Sequence, residues 1–304
     1  MKPEQTTATF TDYLKAAPLY LLPQHLLSRM MQAFTRIRFS PIKNVHIRWF
    51  AKQFNVNMDE AKEPNLASYA TFNHFFTREL REDARPFPST PQQLACPVDG
   101  AVSQAGAIVD GRIYQAKGHD YTLQSLLGDN PQLTETFKNG SFATLYLSPR
   151  DYHRIHMPCD GTLNYMSHVP GRLFSVNTAS AKVIPGLFAR NERVVTVFDT
   201  EYGPMAMVLV GAIFVGSIET VWHGLVTPPS RHNIKQWHYD GSNEKAVQLK
   251  QGDEMGRFNM GSTVIMVFAN PEVALSENIQ AGAPIQLGQL LAKHAPQANP
   301  AIMD

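Results

Sequence analysis

Met260-Gly261-Ser262-Thr263-Val264-Ile265-Met266-Val267-Phe268 places a glycine–serine junction directly before an unbroken apolar run. A short apolar run bounded by glycine, and partly β-branched, reads as a strand buried in a sheet. The same texture recurs upstream. Val194-Val195-Thr196-Val197-Phe198, Ala206 to Val215 and Ser217 to Trp222 are β-branched and mostly apolar, and read as further strands of a sheet core. Pro97-Val98-Asp99-Gly100-Ala101-Val102 is echoed by Pro158-Cys159-Asp160-Gly161-Thr162-Leu163, which suggests equivalent turns entering strands.

Ahead of about residue 90 the pattern is helical instead. Leu19, Leu22, Leu26, Met30, Phe34 and Ile37 recur at helical spacing, with Pro23 starting a new helix inside the pattern. Ser40-Pro41 reads as a cap and a first-turn proline, ahead of a helix carrying Ile42, Val45 and Trp49 on one face. A further helix is expected over residues 66–82, with Tyr69, Phe72 and Phe76 on one stripe, ended by Arg85-Pro86-Phe87-Pro88. Evenly spaced glycines in Gly252-Asp253-Glu254-Met255-Gly256 and in residues 279–288 are similar to those of the folded-over sheets in biotinyl and lipoyl carriers. The fold class expected is α+β: N-terminal amphipathic helices over residues 1–90, then a β-rich sandwich of the barrel-sandwich-hybrid kind over residues 91–304.

A chain of 304 residues suffices for one large domain or a domain with a substantial appendage. Its ordinary apolar fraction and lack of low-complexity tracts exclude a disordered chain. Cys96 and Cys159, the only cysteines, make a disulfide framework unexpected and fit a reducing compartment. The first seven residues lack the apolar core of a secretory signal. The longest apolar stretch, Met205 to Val215, contains Gly211 and falls short of the roughly 20 residues that a spanning helix needs. Net charge is only +1, yet Lys2, Lys15, Arg29, Arg36, Arg38, Lys43, Arg48 and Lys52 face only Glu4 and Asp12 within residues 1–54. Such asymmetry suggests a segment that meets something anionic.

Ser262 can attack the carbonyl of Gly261 in an N-to-O acyl shift, and glycine has no Cβ to obstruct the approach. Elimination of the resulting ester gives dehydroalanine, and hydrolysis then leaves a pyruvoyl ketone on the new N-terminus. By itself the tripeptide is an ordinary turn-to-strand junction. Two upstream segments, residues 146–158 and Cys96-Pro97-Val98-Asp99-Gly100, supply the other roles of acyl chemistry. His153 and His156 lie three apart. The pair fits acid–base work, a structural role, or metal binding, although a third ligand at a familiar spacing is missing. Spacing alone leaves Asp99, Asp151 and Asp160 equal as partners for a histidine, since Asp-Gly is also a common turn pair. Gly171 to Asn177 reads either as a plain turn and strand or as a loop near a substrate, with Ser175 and Asn177 as polar contacts.

From about Phe10 to His294 the sequence resembles the bacterial, membrane-associated phosphatidylserine decarboxylases, the prokaryotic type I family. The resemblance is carried by Tyr69-Ala70-Thr71-Phe72-Asn73-His74-Phe75-Phe76-Thr77-Arg78, Arg85-Pro86, Pro97-Val98-Asp99-Gly100, the Tyr152 to Pro158 run and Gly171-Arg172-Leu173-Phe174-Ser175-Val176-Asn177. The family's cleavage motif is Leu-Gly-Ser-Thr. Met260 replaces the leucine here with similar volume and polarity, so cleavage is expected to survive.

The resemblance implies self-cleavage between Gly261 and Ser262 into a beta chain, 1–261, and an alpha chain, 262–304, held together as a heterodimer that can itself dimerise. It implies that His156 is the base for that cleavage, that Asp99 is its charge-relay partner, and that His153 serves the later decarboxylation. The implied cofactor is the pyruvoyl group made from Ser262, with no metal and no pyridoxal phosphate. A Schiff base of this ketone with the phosphatidylserine amine would release CO₂ and yield phosphatidylethanolamine. The implied partners are phosphatidylserine and an anionic membrane surface, not nucleic acid. The implied location is peripheral, on the cytoplasmic face of the cell membrane, where amphipathic basic helices would dock. The rival reading is a membrane-associated serine hydrolase using Ser262, His156 and Asp99 without self-cleavage. A lipoyl-like carrier is a second rival, and it lacks the exposed hairpin lysine that such carriers use.

Overall fold

The computed structural model describes residues 8–295 apart from 89, 91, 215–216, 229–232 and 241–245. Lys2 and Glu4 of the basic segment, Val215 at the end of the long apolar stretch and Gly216 after it lie outside the described residues.

Thr263–Phe268 is an inner strand of the largest sheet and is buried along its whole length. It pairs antiparallel with Met205–Val210 on one edge and Ser141–Tyr146 on the other, so that Thr263 lies opposite both Val210 and Tyr146. A strand with neighbours on both edges and cover on both faces accepts an unbroken apolar sequence, which is why no period-two alternation marks it. The sheet extends one way through Arg193–Asp199, Gly161–Val169 and Lys235–His238, and the other way through Gly100–Ala107 and Pro284–Ile285. A second antiparallel sheet orders Gly224–Leu225, Ile218–Thr220, Glu254–Phe258 and Arg154–His156. A third orders Gln93–Ala95, Leu290–His294 and Val273–Leu275. The fold is α+β, and among the described residues no sheet closes into a barrel.

Arg154–His156 being a strand changes the geometry of the histidine pair. On a helix, residues three apart share a face, but on extended chain an odd separation sends them to opposite faces. His153 and His156 therefore reach different surroundings.

The N-terminal helices are α1 (Phe10–Ala16), α2 (Gln24–Thr35), α3 (Ser40–Gln53) and α4 (Phe72–Phe76). Pro23 stands at the cap position of α2, and Pro41 lies in the first turn of α3. Ser40 is itself helical rather than the cap, a position taken by Phe39 without a side-chain bond. The long helix expected over residues 66–82 is instead a 3₁₀ turn, Leu66–Ser68, followed by the short α4. The Thr71 hydroxyl accepts the His74 N–H at 3.0 Å and restarts the chain as a new helix, a capping preference that outweighed the aromatic spacing. That spacing still finds a partner. Tyr69, Phe72, Phe75 and Phe76 pack with Ile47 and Phe50 of α3 into a cluster of their own, and Met260 touches both this cluster and the main core. Burying each such side chain contributes roughly 1.5–3 kcal/mol.

α2 is inside out. Gln24, Ser28 and Thr35 are buried against the β-rich body, while Leu26, Met30 and Phe34 are exposed. Periodicity gives the stripe at spacing four, but says nothing about which stripe faces inward.

Candidate active site

Gly261 and Ser262 lie directly before the buried Thr263–Phe268 strand. The Ser262 carbonyl accepts the Leu147 N–H at 3.0 Å, which fixes the junction against the residues that follow Ser141–Tyr146. Ser262 is fully buried, and its Oγ has no hydrogen-bond partner among the described residues.

His153 is also fully buried, with its ring centroid 4.2 Å from that of Phe76. Its Nδ1 lies 2.8 Å from the Asp151 carbonyl, which can only accept, so Nδ1 carries the proton and Nε2 holds the lone pair. That Nε2 is buried without a partner, and a methyl group built on Gly261 would lie 3.4 Å from it. Burial lowers the His153 pKa to about 3, so the ring is neutral at physiological pH. A neutral imidazole with a free, buried lone pair beside Gly261 is placed to accept a proton.

His156 is occupied differently. Its Nδ1 donates to the Gly252 carbonyl at 2.8 Å, so its Nε2 is the acceptor for the Tyr152 hydroxyl at 3.0 Å. Burial lowers its pKa too. Asp99 accepts from Arg85 Nε at 2.9 Å, from Arg85 Nη2 at 2.6 Å and from the Leu287 N–H at 2.8 Å. Arg85 also reaches Glu60 at 2.6 Å, and its affinity for its proton is raised, chiefly by the bond to Asp99. The structure thus does not join Ser262, His156 and Asp99 in one hydrogen-bonded relay. The two-pronged Arg85 guanidinium takes the carboxylate that the relay would require. Asp99 lines a polar hollow of about 300 Å³ with Arg78, Arg85 and Tyr152, whereas Gly261 lines a different cleft. Asp160 is at the surface, bonded to Lys250 and the Gln251 N–H.

The Gly261 cleft has a volume of about 210 Å³. Its apolar walls include Phe50 and Phe54, Phe76, Phe214 and Met260. Ser175 and Asn177 both line it, so the loop singled out from the sequence reaches the cleft. The Asn177 carboxamide oxygen already accepts the Ser180 N–H at 2.9 Å. Among the described residues no three His, Cys, Asp or Glu side chains gather as a metal site. Cys96 and Cys159 are free and buried, and burial pushes both thiols up to about 12, which makes them inert packing.

Residues 72–293 match the phosphatidylserine decarboxylase family. The chain belongs to that family. Residues 14–55 match a second family, described as PSD. A phosphatidylserine decarboxylase proenzyme of Vibrio parahaemolyticus is 53% identical over 277 residues, covering 91% of this chain and 97% of that protein. A Pseudomonas putida protein of the same description is 54% identical over 274 residues, covering 90% and 95%. One from Vibrio cholerae is 51% identical over 284 residues, covering 93% and 100%.

In this member of the phosphatidylserine decarboxylase family, sequence reasoning passed over Arg85, Tyr152 and Phe76 as parts of the site. Arg85 carried a readable signal. A buried aspartate calls for a cation beside it, and Arg85-Pro86 was legible as a helix stop and as part of the family resemblance, without a role at the site. Tyr152 and Phe76 gave no chemical signal of their own, because they act by touching the two histidines.

Proposed function

We propose that this chain decarboxylates phosphatidylserine to phosphatidylethanolamine at a lipid surface, with a pyruvoyl group that it makes from its own Ser262. One observation carries the reading. The Gly261–Ser262 bond is flanked by a buried, unpartnered serine hydroxyl and by the free Nε2 of a neutral imidazole. Buried polar groups left unpaired are costly, and this adjacent pair fits the precursor of the group that the family uses.

His153 Nε2 takes the Ser262 Oγ proton as that oxygen attacks the Gly261 carbonyl, and the acyl group moves from nitrogen to oxygen. Loss of the Ser262 Cα proton then expels the Gly261 carboxylate, and water converts the dehydroalanine to pyruvoyl and ammonia. When formed, the pyruvoyl group supplies an electron sink for the carbanion left by carbon dioxide. His153 remains beside it and can hand a proton to the product carbon. An assignment of His156 as the base, with Asp99 as its relay, requires both groups to leave the partners they have here. We therefore give His156 and Asp99 supporting roles, fixing Gly252, Tyr152, Arg85 and Leu287. The Phe50, Phe54, Phe76 and Met260 walls suit the apolar part of a lipid, and Ser175 and Asn177 suit its headgroup. Thr263–Phe268 keeps 262–304 in the sheet after cleavage, so the two chains stay together.

The lipid surface follows from the helices. Leu21, Leu22, Leu26, Met30, Phe34 and Trp49 are exposed among Arg29, Arg36 and Arg38. α3 joins surface to cleft, presenting Trp49 outward while Phe50, and Phe54 at its C-terminal cap, line the cleft. No helix among the described residues is long and apolar enough to cross a membrane. Apolar insertion beside basic residues fits peripheral docking on an anionic leaflet. A serine hydrolase acting without cleavage is not favoured, because the relatives are described as phosphatidylserine decarboxylase proenzymes.

The test is denaturing electrophoresis and mass spectrometry of wild type and Ser262→Ala, with phosphatidylserine conversion measured on the same samples. Wild type should show the fragment 262–304 with a pyruvoyl N-terminus, and Ser262→Ala should show one uncut, inactive chain. An active, uncut wild type would overturn the reading.

A further inference from the structure

The inward face of α2 is tied to the cleft by side chains that grip main chain. Gln24 accepts the Leu173 N–H at 2.8 Å, and Ser28 accepts the Phe214 N–H at 3.2 Å. His25 lies 3.0 Å from the Gly171 carbonyl, and Arg172 donates to the Tyr20 carbonyl at 2.9 Å. The two gripped segments, 171–177 and 211–214, are the ones that bring Ser175, Asn177, Ala212 and Phe214 to the cleft. They are also stapled to each other. The buried Asn191 donates to the Phe174 carbonyl at 2.8 Å and to the Gly211 carbonyl at 2.9 Å. Phe214 adopts φ +65, a left-handed conformation that a bulky side chain takes only when its surroundings hold it there. Ser28 is part of that hold.

On the opposite face of the same helix, Leu26, Met30 and Phe34 are exposed. A helix gripping the cleft with its polar face and meeting lipid with its apolar face is mechanically placed between the two. We propose that Gln24 and Ser28 are positioning residues, which set the cleft wall at Leu173 and Phe214 when α2 lies on a lipid surface, so that substrate in a bilayer is processed faster than the same headgroup dispersed in water. This inference rests on the lipid-surface reading above. The differential interaction that shifts the wall is the burial of α2's apolar face in lipid, which favours the conformation with both hydrogen bonds made.

The experiment uses the full-length, self-cleaved protein. Rates are measured on vesicles of phosphatidylserine and phosphatidylglycerol in equal parts, and on short-chain phosphatidylserine below its micelle threshold. Wild type should favour the vesicles. Gln24→Met/Ser28→Ala should lower that preference about five- to tenfold, through kcat on vesicles, as expected from losing hydrogen bonds to buried N–H groups. Its vesicle co-sedimentation and its 262–304 fragment should match wild type, and Ser28→Thr should restore the preference. An insoluble double variant is replaced by Ser28→Ala alone, read by the same ratio. An unchanged ratio, or an equal fall on both substrates, overturns the coupling. If wild type fails to sediment with the vesicles, the lipid-surface reading itself has failed. Normal sedimentation with an unchanged ratio removes only the coupling.

Discussion

Two polar clusters flank the residues from Tyr152 to His156, and they are built in opposite ways. Around Asp99 the carboxylate and its Arg85 partner are matched. Both carboxylate oxygens have donors, and the Arg85 nitrogens are shared among Asp99, Glu60 and the Ala84 carbonyl. Around Gly261 the matching is missing, with His153 Nε2, Ser262 Oγ and Thr263 Oγ1 buried and unpartnered among the described residues. Each buried polar atom left without a partner costs about 1–3 kcal/mol. On the proposed reading, the contrast separates charges that hold the fold from groups kept free to react, although both belong to motifs that look equally catalytic on paper.

The largest effect should come from crossing that divide at the two histidines. His153→Ala should slow release of 262–304 by about 10²- to 10⁴-fold, the usual worth of a positioned base. His156→Ala should slow it far less, by under about tenfold, while costing about 1–3 kcal/mol because the Tyr152 hydroxyl and Gly252 carbonyl lose their partner. The measurement is a time course of fragment appearance after synthesis. The reverse order would collapse the contrast and restore His156 as the base.

Asp99→Asn comes next. Removing one charge from a buried pair leaves the other uncompensated, so the uncut Ser262→Ala protein should lose about 3 kcal/mol in urea unfolding when Asp99→Asn is added. In the cleaving background the fragment should still form. An Asp99→Asn protein of normal stability that never cleaves would move Asp99 into the reacting cluster.

Much of this architecture was legible because burial on both faces leaves a plain mark. Val264 to Phe268 is an unbroken apolar run and Val194 to Phe198 is broken only by Thr196, and both lie in strands of the largest sheet. Ala206 to Val215 was read too long. The strand is Met205–Val210, and the chain leaves the sheet at Gly211, whose own N–H bonds to the Glu192 carbonyl. Residues 66–82 misled because aromatic spacing survives in a 3₁₀ turn and a short helix packed on one neighbour. At the site, motifs brought out Ser262, the histidines, Ser175 and Asn177, but spacing cannot tell which histidine faces Gly261. That depends on extended backbone at Arg154–His156 and on Arg85 claiming Asp99, both long-range facts. The inversion of α2 was hidden for a similar reason, since a hydrophobic stripe looks the same whether it meets core or lipid.

The reacting cluster should also leave a trace in acid. The unfolded chain binds a proton at His153 near pH 6.5, while the folded chain resists until about pH 3. Between those values the unfolded state holds more protons, so stability rises with pH through the window and falls as pH drops. In uncut Ser262→Ala, His153 should contribute up to about 1.4 kcal/mol of loss per pH unit below its unfolded value. Adding His153→Gln should flatten the slope by that share, read from urea midpoints between pH 6 and pH 4. An unaltered slope would mean that His153 is hydrated, and the contrast in burial between the clusters would be gone.

The smallest effect is expected at Met260, and it sharpens the boundary of the reacting cluster. Met260 is half-buried, touching the main core on one side and the Phe50–Phe72 aromatic cluster on the other. Methionine to leucine conserves volume, and such swaps usually cost under about 1.5 kcal/mol. The attack geometry depends on Gly261, Ser262 and His153, which the Leu147 N–H and the Asp151 carbonyl anchor without help from residue 260. Met260→Leu should therefore leave the cleavage rate within about twofold, with the thermal midpoint barely moved. The rate is read from the same fragment time course used for the histidines. A change of tenfold or more in either direction would show that the side chain before Gly261 helps present its carbonyl. The reacting cluster would then extend across the cleft to α3, and the aromatic packing of Phe50 and Phe72 would become part of the chemistry.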